Sequence, residues 1–79
     1  MTIFQPETVT AAIAEILRIP SERVVESASL KELVTESFVL VELVVELQET
    51  FDVLFFQEDM ARVTTVGDVV NLVVERRNS

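Results

Sequence analysis

The stretch TESFVLVELVVELQETF, residues 35–51, decides the fold of this 79-residue chain. Read by β propensity, its valines and leucines make a strand. Read by spacing, they make a helix. Leu40, Leu43, Val44, Leu47 and Phe51 recur at intervals of three and four, and at about 100° per residue they fall on one side of a helical wheel. The spacing predicts a helix from about Ser37 to Phe51 with that side buried. Glu42, Glu46 and Glu49 gather elsewhere as an acidic ridge. Phe38, Val41 and Val45 form a separate apolar stripe beside the ridge, turned well away from the core face. A helix in a small bundle normally needs one buried stripe. The plain explanation of the second is that neighbouring loops cover it. The sharper one is a contact site, in which apolar groups supply affinity and carboxylates steer and orient a partner.

Outward from this stretch, helical signals recur. Pro6 suits the first residue of a helix, and Val9, Ile13, Ile16 and Leu17 follow at helical spacing until Pro20 stops it. That predicts a first helix over about 6–18. PSERVVESAS (20–29) reads as a polar loop, and LKEL (30–33) places two leucines, three apart, as loop anchors in the core. FDVLFFQEDMARV (51–63) is a link with one short helix near 57–62. TVGD (65–68) opens a last helix over about 65–76, with Thr65 capping the Asp68 N–H and Asp68 reaching back as in a capping box. Val66, Val69, Val70 and Val73 make its buried stripe, and Arg76 and Arg77 sit at its negative end. The expected fold is all-α: a four-helix bundle of three main helices and one short one, in a single domain spanning 1–79.

Composition limits the chemistry. The chain has no histidine, no cysteine and one lysine, Lys31. It therefore lacks the parts for a Ser-His or Cys-His nucleophile pair and for the usual zinc sites, and no EF-hand loop is present to hold calcium. A self-sufficient enzyme is not expected, nor a metal site. Fourteen acidic residues against six basic ones carry the wrong sign for a phosphate backbone, so no nucleic acid is expected. No run of about 18 uncharged apolar residues exists to span a membrane, and MTIFQPETV lacks the basic and apolar regions of a secretory signal. A cytoplasmic monomer is the expectation. The charge is concentrated: from Glu32 to Ala61 there are eight acids and no lysine or arginine, while the flanks nearly cancel at −1 and +1. This acidic middle either serves solubility or forms a docking surface for basic partners.

Ser37 opens the central helix. A serine there is ordinarily a cap. A hydroxyl at a helix N-terminus is also well placed to carry a phosphodiester, because free N–H groups and the helix dipole favour an anion. The chain has no base to activate that hydroxyl, so another enzyme would install the group.

With ESF (36–38), VELVVELQETFDV (41–53), EDMARVTTVGDVV (58–70) and ASLKEL (28–33), the sequence resembles the acyl carrier proteins over nearly its whole length. In that family an Asp-Ser-Leu motif opens the second helix, and its serine receives 4′-phosphopantetheine from coenzyme A. The resemblance implies that Ser37 is the attachment site and that the thiol arm carries acyl groups as thioesters between enzymes. It also implies that Glu36 takes the place of the motif's aspartate, and that Glu36, Phe38, Val41, Glu42, Val45 and Glu49 fall where the family meets its partners. Those partners would be a phosphopantetheinyl transferase and acyl-transferring, condensing and reducing enzymes with basic docking surfaces. The motif departs from the family: Val34 stands where glycine is usual, Phe38 replaces leucine, and Val39 stands where an acid often follows. Valine tolerates positive φ poorly, so the loop there is either extended or strained. A permissive or dedicated transferase is expected. Three functions stay open: a carrier in fatty-acid or, slightly preferred, specialised polyketide assembly; an unmodified interaction module; and a peptidyl carrier, which the strong acidity disfavours.

Overall fold

A computed structural model describes residues 5–78, with side chains to residue 77; residues 1–4, part of the segment read for a leader, lie outside the described residues. The described elements are α1 (Pro6–Leu17), a 3-10 turn (Ser21–Arg23), α2 (Leu30–Leu33), α3 (Ser37–Phe51), α4 (Gln57–Arg62) and α5 (Val66–Asn78). Among the described residues there is no strand, only an isolated bridge between Ser29 and Thr65. The valine-rich segments are helices because their three-four spacing gives each a continuous apolar side, which outweighs the weak β preference of single valines.

Helix ends follow local chemistry. Pro6 is the first residue of α1. Arg18 and Asp52, at φ 58° and 54°, close α1 and α3 in the left-handed region. The next residues donate five positions back, Ile19 N–H to Ala14 O (3.0 Å) and Val53 N–H to Gln48 O (3.2 Å), which occupies carbonyls the helix leaves over. Thr65 and Asp68 make the expected reciprocal cap of α5: Asp68 N–H donates to Thr65 Oγ1 (3.2 Å), and Asp68 Oδ2 accepts the Thr65 N–H (3.1 Å).

α1 packs against both α3 and α5. Val9 and Ile13 of α1, Leu43, Leu47 and Phe51 of α3, and Val66, Val69, Val70 and Val73 of α5 form the core, closed by Val24, Leu30 and Val53 from the connections. Among the described residues no polar side chain is buried.

Three details differ from the sequence expectation. LKEL is a turn of helix, α2, and not only a pair of loop anchors; Leu30 is buried and Leu33 packs against the core. α5 starts one residue later and runs two further than expected. Arg76 turns away from the helix terminus to meet the 54–59 segment, donating to Leu54 O (2.7 Å) and to Asp59 Oδ1 (2.8 Å). Tertiary contacts of a charged group displace a weaker dipole interaction.

Candidate functional site

Ser37 is positioned by a chain of supports that begins at α5. Three backbone bonds hold the 26–30 segment against the start of α5: Leu30 N–H to Thr64 O (3.0 Å), Val66 N–H to Ala28 O (3.0 Å) and Gly67 N–H to Glu26 O (2.9 Å). Gly67 suits that approach, since a Cβ there would lie 3.0 Å from the Glu26 carbonyl oxygen, a tight contact that would press the two backbones apart by a few tenths of an ångström. α2 follows directly. After it Val34 is extended (φ −127°, ψ 103°) with its side chain buried, which resolves the alternative raised by valine at a usual glycine position: the link is extended and unstrained. Glu36, also extended, is the N-cap of α3, and Ser37 is its first residue.

Ser37 is exposed. Its hydroxyl makes no hydrogen bond among the described residues, and no side chain caps α3. The Glu36 carbonyl accepts from Val39 (3.1 Å) and Leu40 (3.3 Å). The N–H groups of Ser37 and Phe38 have no acceptor within the helix. The first turn of α3 holds no acidic side chain. An anion on the Ser37 oxygen would meet the positive end of the helix dipole and free N–H donors, with Glu36 as the neighbouring carboxylate. The residues present fit a phosphodiester.

Glu36, Phe38, Val41, Glu42, Val45 and Glu49 are all exposed on α3 or its cap. Phe38 and Val41 are each 61 % exposed and Val45 43 %, so among the described residues no loop covers the second stripe. Glu42 and Glu46 also line an open groove between α1 and α3 with Glu15, Arg18 and Thr50, so the acidic ridge borders α1 as well as the stripe.

Two features escaped the sequence. A cleft of about 380 Å³ is lined by Leu30, Val34, Leu40, Met60 and Val63, with Ser29, Lys31 and Thr64. Its Val34 and Leu40 walls stand three residues before and after Ser37. Met60 and Val63, three apart at the end of α4, carried a faint signal, but α2, α3 and α4 must be assembled before the cleft exists. The second is the 54–56 segment, where Leu54 and Phe56 are exposed.

Two carboxylates are perturbed. Hydrogen bonds from the Thr64 N–H, then the Thr65 N–H and the Thr64 hydroxyl, hold Asp68 below the usual aspartate range. The Phe56 N–H, aided by the Arg76 guanidinium, does the same for Asp59. Both serve structure, at the caps of α5 and α4.

An all-helical bundle presenting an unbonded serine at a helix start, an uncovered acidic-apolar helix face and an apolar cleft has the form of a carrier domain. The family model described as phosphopantetheine attachment site matches residues 7–73, and the chain belongs to that family. It is a phosphopantetheine carrier, consistent with the acyl carrier proteins its sequence resembles. Family members bear a covalently attached 4′-phosphopantetheine and work with a phosphopantetheinyl transferase and biosynthetic enzymes. Among the described residues no helix is long and apolar enough to cross a membrane.

Proposed function

We propose that Ser37 bears the 4′-phosphopantetheine arm and that the protein, a monomer in the cytoplasm, carries acyl intermediates in fatty-acid or, by slight preference, specialised polyketide assembly. One observation carries this reading: Ser37 is exposed, its hydroxyl makes no hydrogen bond among the described residues, and it stands at the start of α3, which no side chain caps. In the attachment step the Ser37 oxygen bonds to the phosphorus of coenzyme A that bears pantetheine. The pyrophosphate linkage breaks and 3′,5′-ADP leaves. The serine proton goes to a base of the transferase. Once in place, the arm supplies a thiol that holds the acyl group as a thioester.

The protein's own residues then tether, orient and shelter. Tethering raises the local concentration of cargo at each partner. Phe38, Val41 and Val45 supply apolar contact, while Glu36, Glu42 and Glu49 attract the Lys and Arg of partner surfaces. The cleft beside Ser37, lined by Leu30, Val34, Leu40, Met60 and Val63, suits an alkyl chain better than a peptide, which would bring polar groups without partners. This favours an acyl over a peptidyl cargo.

Incubation of the purified protein with coenzyme A and a permissive transferase, read by intact mass, tests the assignment. The expected result is one added phosphopantetheine on wild type and none on Ser37→Ala. Wild type that stays unmodified with several transferases would leave Ser37 an ordinary helix-start residue and the fold an interaction module.

A further inference from the structure

One buried hydrophobic residue stands apart from the core. Among the described residues every other buried apolar side chain belongs to the cluster built by α1, α3, α5 and their connections; Val34, 8 % exposed, does not. It lines the cleft instead, with Leu30, Leu40, Met60 and Val63. These neighbours have different duties. Leu30 is part of the core, and Leu40 and Val63 pack against it, so the fold requires all three whatever lies in the cleft. Met60 is unbranched and pliable, and yields to the shape of an occupant. Val34 does neither. Branching at Cβ stiffens its χ1, and a 2.7 Å bond from its N–H to Leu30 O ties its main chain to α2. Three positions further on, the chain reaches Ser37. The cleft thus has a stiff wall on the link that leads to the serine, made by a side chain outside the core.

We infer that Val34 is a specificity-determining residue, whose isopropyl group limits the length of the alkyl chain that the cleft shelters. The inference rests on the Ser37 assignment and on the cleft as the place where cargo lies. The cleft, about 380 Å³, has room for about a dozen heavy atoms at the ~30 Å³ that a water-sized group takes up in a liquid. The thiol end of the arm fills part of that, which leaves a hydrocarbon chain of about six to ten carbons. The lining suits hydrocarbon. The Thr64 hydroxyl is turned to Asp68 Oδ2 (3.0 Å), and Lys31 can lay its stem along the wall with its ammonium in water. Glycine, usual at this position in the family the sequence resembles, would open the space of an isopropyl group. Valine closes that space, so the cargo is shorter than the same cleft would hold with glycine. A stiff, close-packed wall has little slack. Each carbon taken from residue 34 therefore admits about one more carbon of cargo, and each one added excludes about one.

The probes are straight-chain acyl coenzyme A thioesters, acetyl to palmitoyl, loaded onto the protein by a permissive transferase and checked by intact mass. Thermal unfolding of each loaded form, followed by far-UV circular dichroism, reads sheltering. A chain held in the cleft stabilises only the folded state, so the rise in Tm over the unloaded protein grows with length until the cleft is full. Wild type should reach its greatest rise at about six to ten carbons. Val34→Ala and Val34→Gly should move that maximum to chains about two and three carbons longer, and Val34→Leu to chains about one carbon shorter. Each variant is compared with its own unloaded form, so the stability cost of the substitution cancels, and the enlarging and narrowing variants test the inference separately. A maximum at the same length in wild type and variants overturns it. So does a wild type that loads every chain with no dependence of Tm on length. Wild type that takes no arm at all overturns the Ser37 assignment instead, and this inference with it.

Discussion

Val34 offers the sharpest test of how this fold supports its serine. The resembling family usually carries glycine at that position, so Val34→Gly moves the sequence toward the family, and pattern matching alone predicts a neutral or helpful change. The structure predicts the reverse. Val34 is extended at φ −127°, a conformation any residue adopts, so glycine relieves no strain. The residue is 8 % exposed, and removing its side chain forfeits nearly a full valine burial, about 2 kcal/mol. Glycine also enlarges the unfolded ensemble, which costs a further ~0.5–1 kcal/mol. Because the side chain lines an open cleft, little sealed cavity is left and the cavity penalty stays small. The total is about 2–3 kcal/mol. A domain of this size has roughly 4–12 kcal/mol of stability, so the variant still folds at room temperature. Its melting temperature should fall by roughly 10–20 °C. Thermal unfolding followed by far-UV circular dichroism measures this. A Val34→Gly protein as stable as wild type would mean the link needs positive φ at residue 34, with relief of strain offsetting lost burial. The account of how α2 presents Ser37 would then be wrong.

Two further outcomes follow from the same geometry. Val41→Asp places a carboxylate on the uncovered stripe; helicity should be unchanged while arm installation at sub-saturating carrier slows about tenfold, and global unfolding of the variant would show the stripe to be core. Acid should weaken the fold through Asp68 and Asp59, whose folded pKa values lie below their unfolded ones. Such groups stabilise fully above the unfolded aspartate value, near ~3.9, and lose that contribution as pH falls through the folded value. Urea unfolding should therefore show Asp68→Asn less stable than wild type near neutrality, with the gap closing in acid. A gap independent of pH refutes the assigned role of the Thr64 and Thr65 hydrogen bonds.

Much of this molecule was legible because its signals are local. Leu43, Leu47 and Phe51 at intervals of four specify a buried helix face whatever the neighbours are, and Pro6 and the Thr65–Asp68 pair mark helix starts within one turn. The wheel separated Phe38, Val41 and Val45 from the core face but left open whether loops cover them; their exposure became visible only with the fold assembled. What stayed hidden is non-local. Four residues of LKEL with leucines three apart fit an anchored loop and a single helical turn equally well. The cleft is assembled from α2, α3 and α4, and no one segment announces it. Arg76 reads as a helix-end cation until the fold brings Leu54, 22 positions away, beneath it.

The placement of the uncovered apolar groups argues that the face around α3 is kept for contact and is not an overflow from a crowded core. Among the described residues six large hydrophobic side chains are exposed: Val25, Phe38, Val41, Val45, Leu54 and Phe56. An overflow would be shared among the helices. Instead the outward positions of α1 are Glu7, Thr8, Ala11 and Glu15, and those of α5 are Asn71, Glu75 and Arg77. Five of the six exposed groups lie between Ser37 and Gln57, inside the one stretch that has acids and no bases. Carboxylates beside exposed apolar groups keep the free protein soluble and repel other copies of itself. On the proposed reading they also select a cationic rim around an apolar docking surface. Stability is supplied elsewhere, by the valine and leucine core of α1, α3 and α5. The exposed side chains on the outer face of α3 and at Leu54 and Phe56 can therefore change without cost to that core.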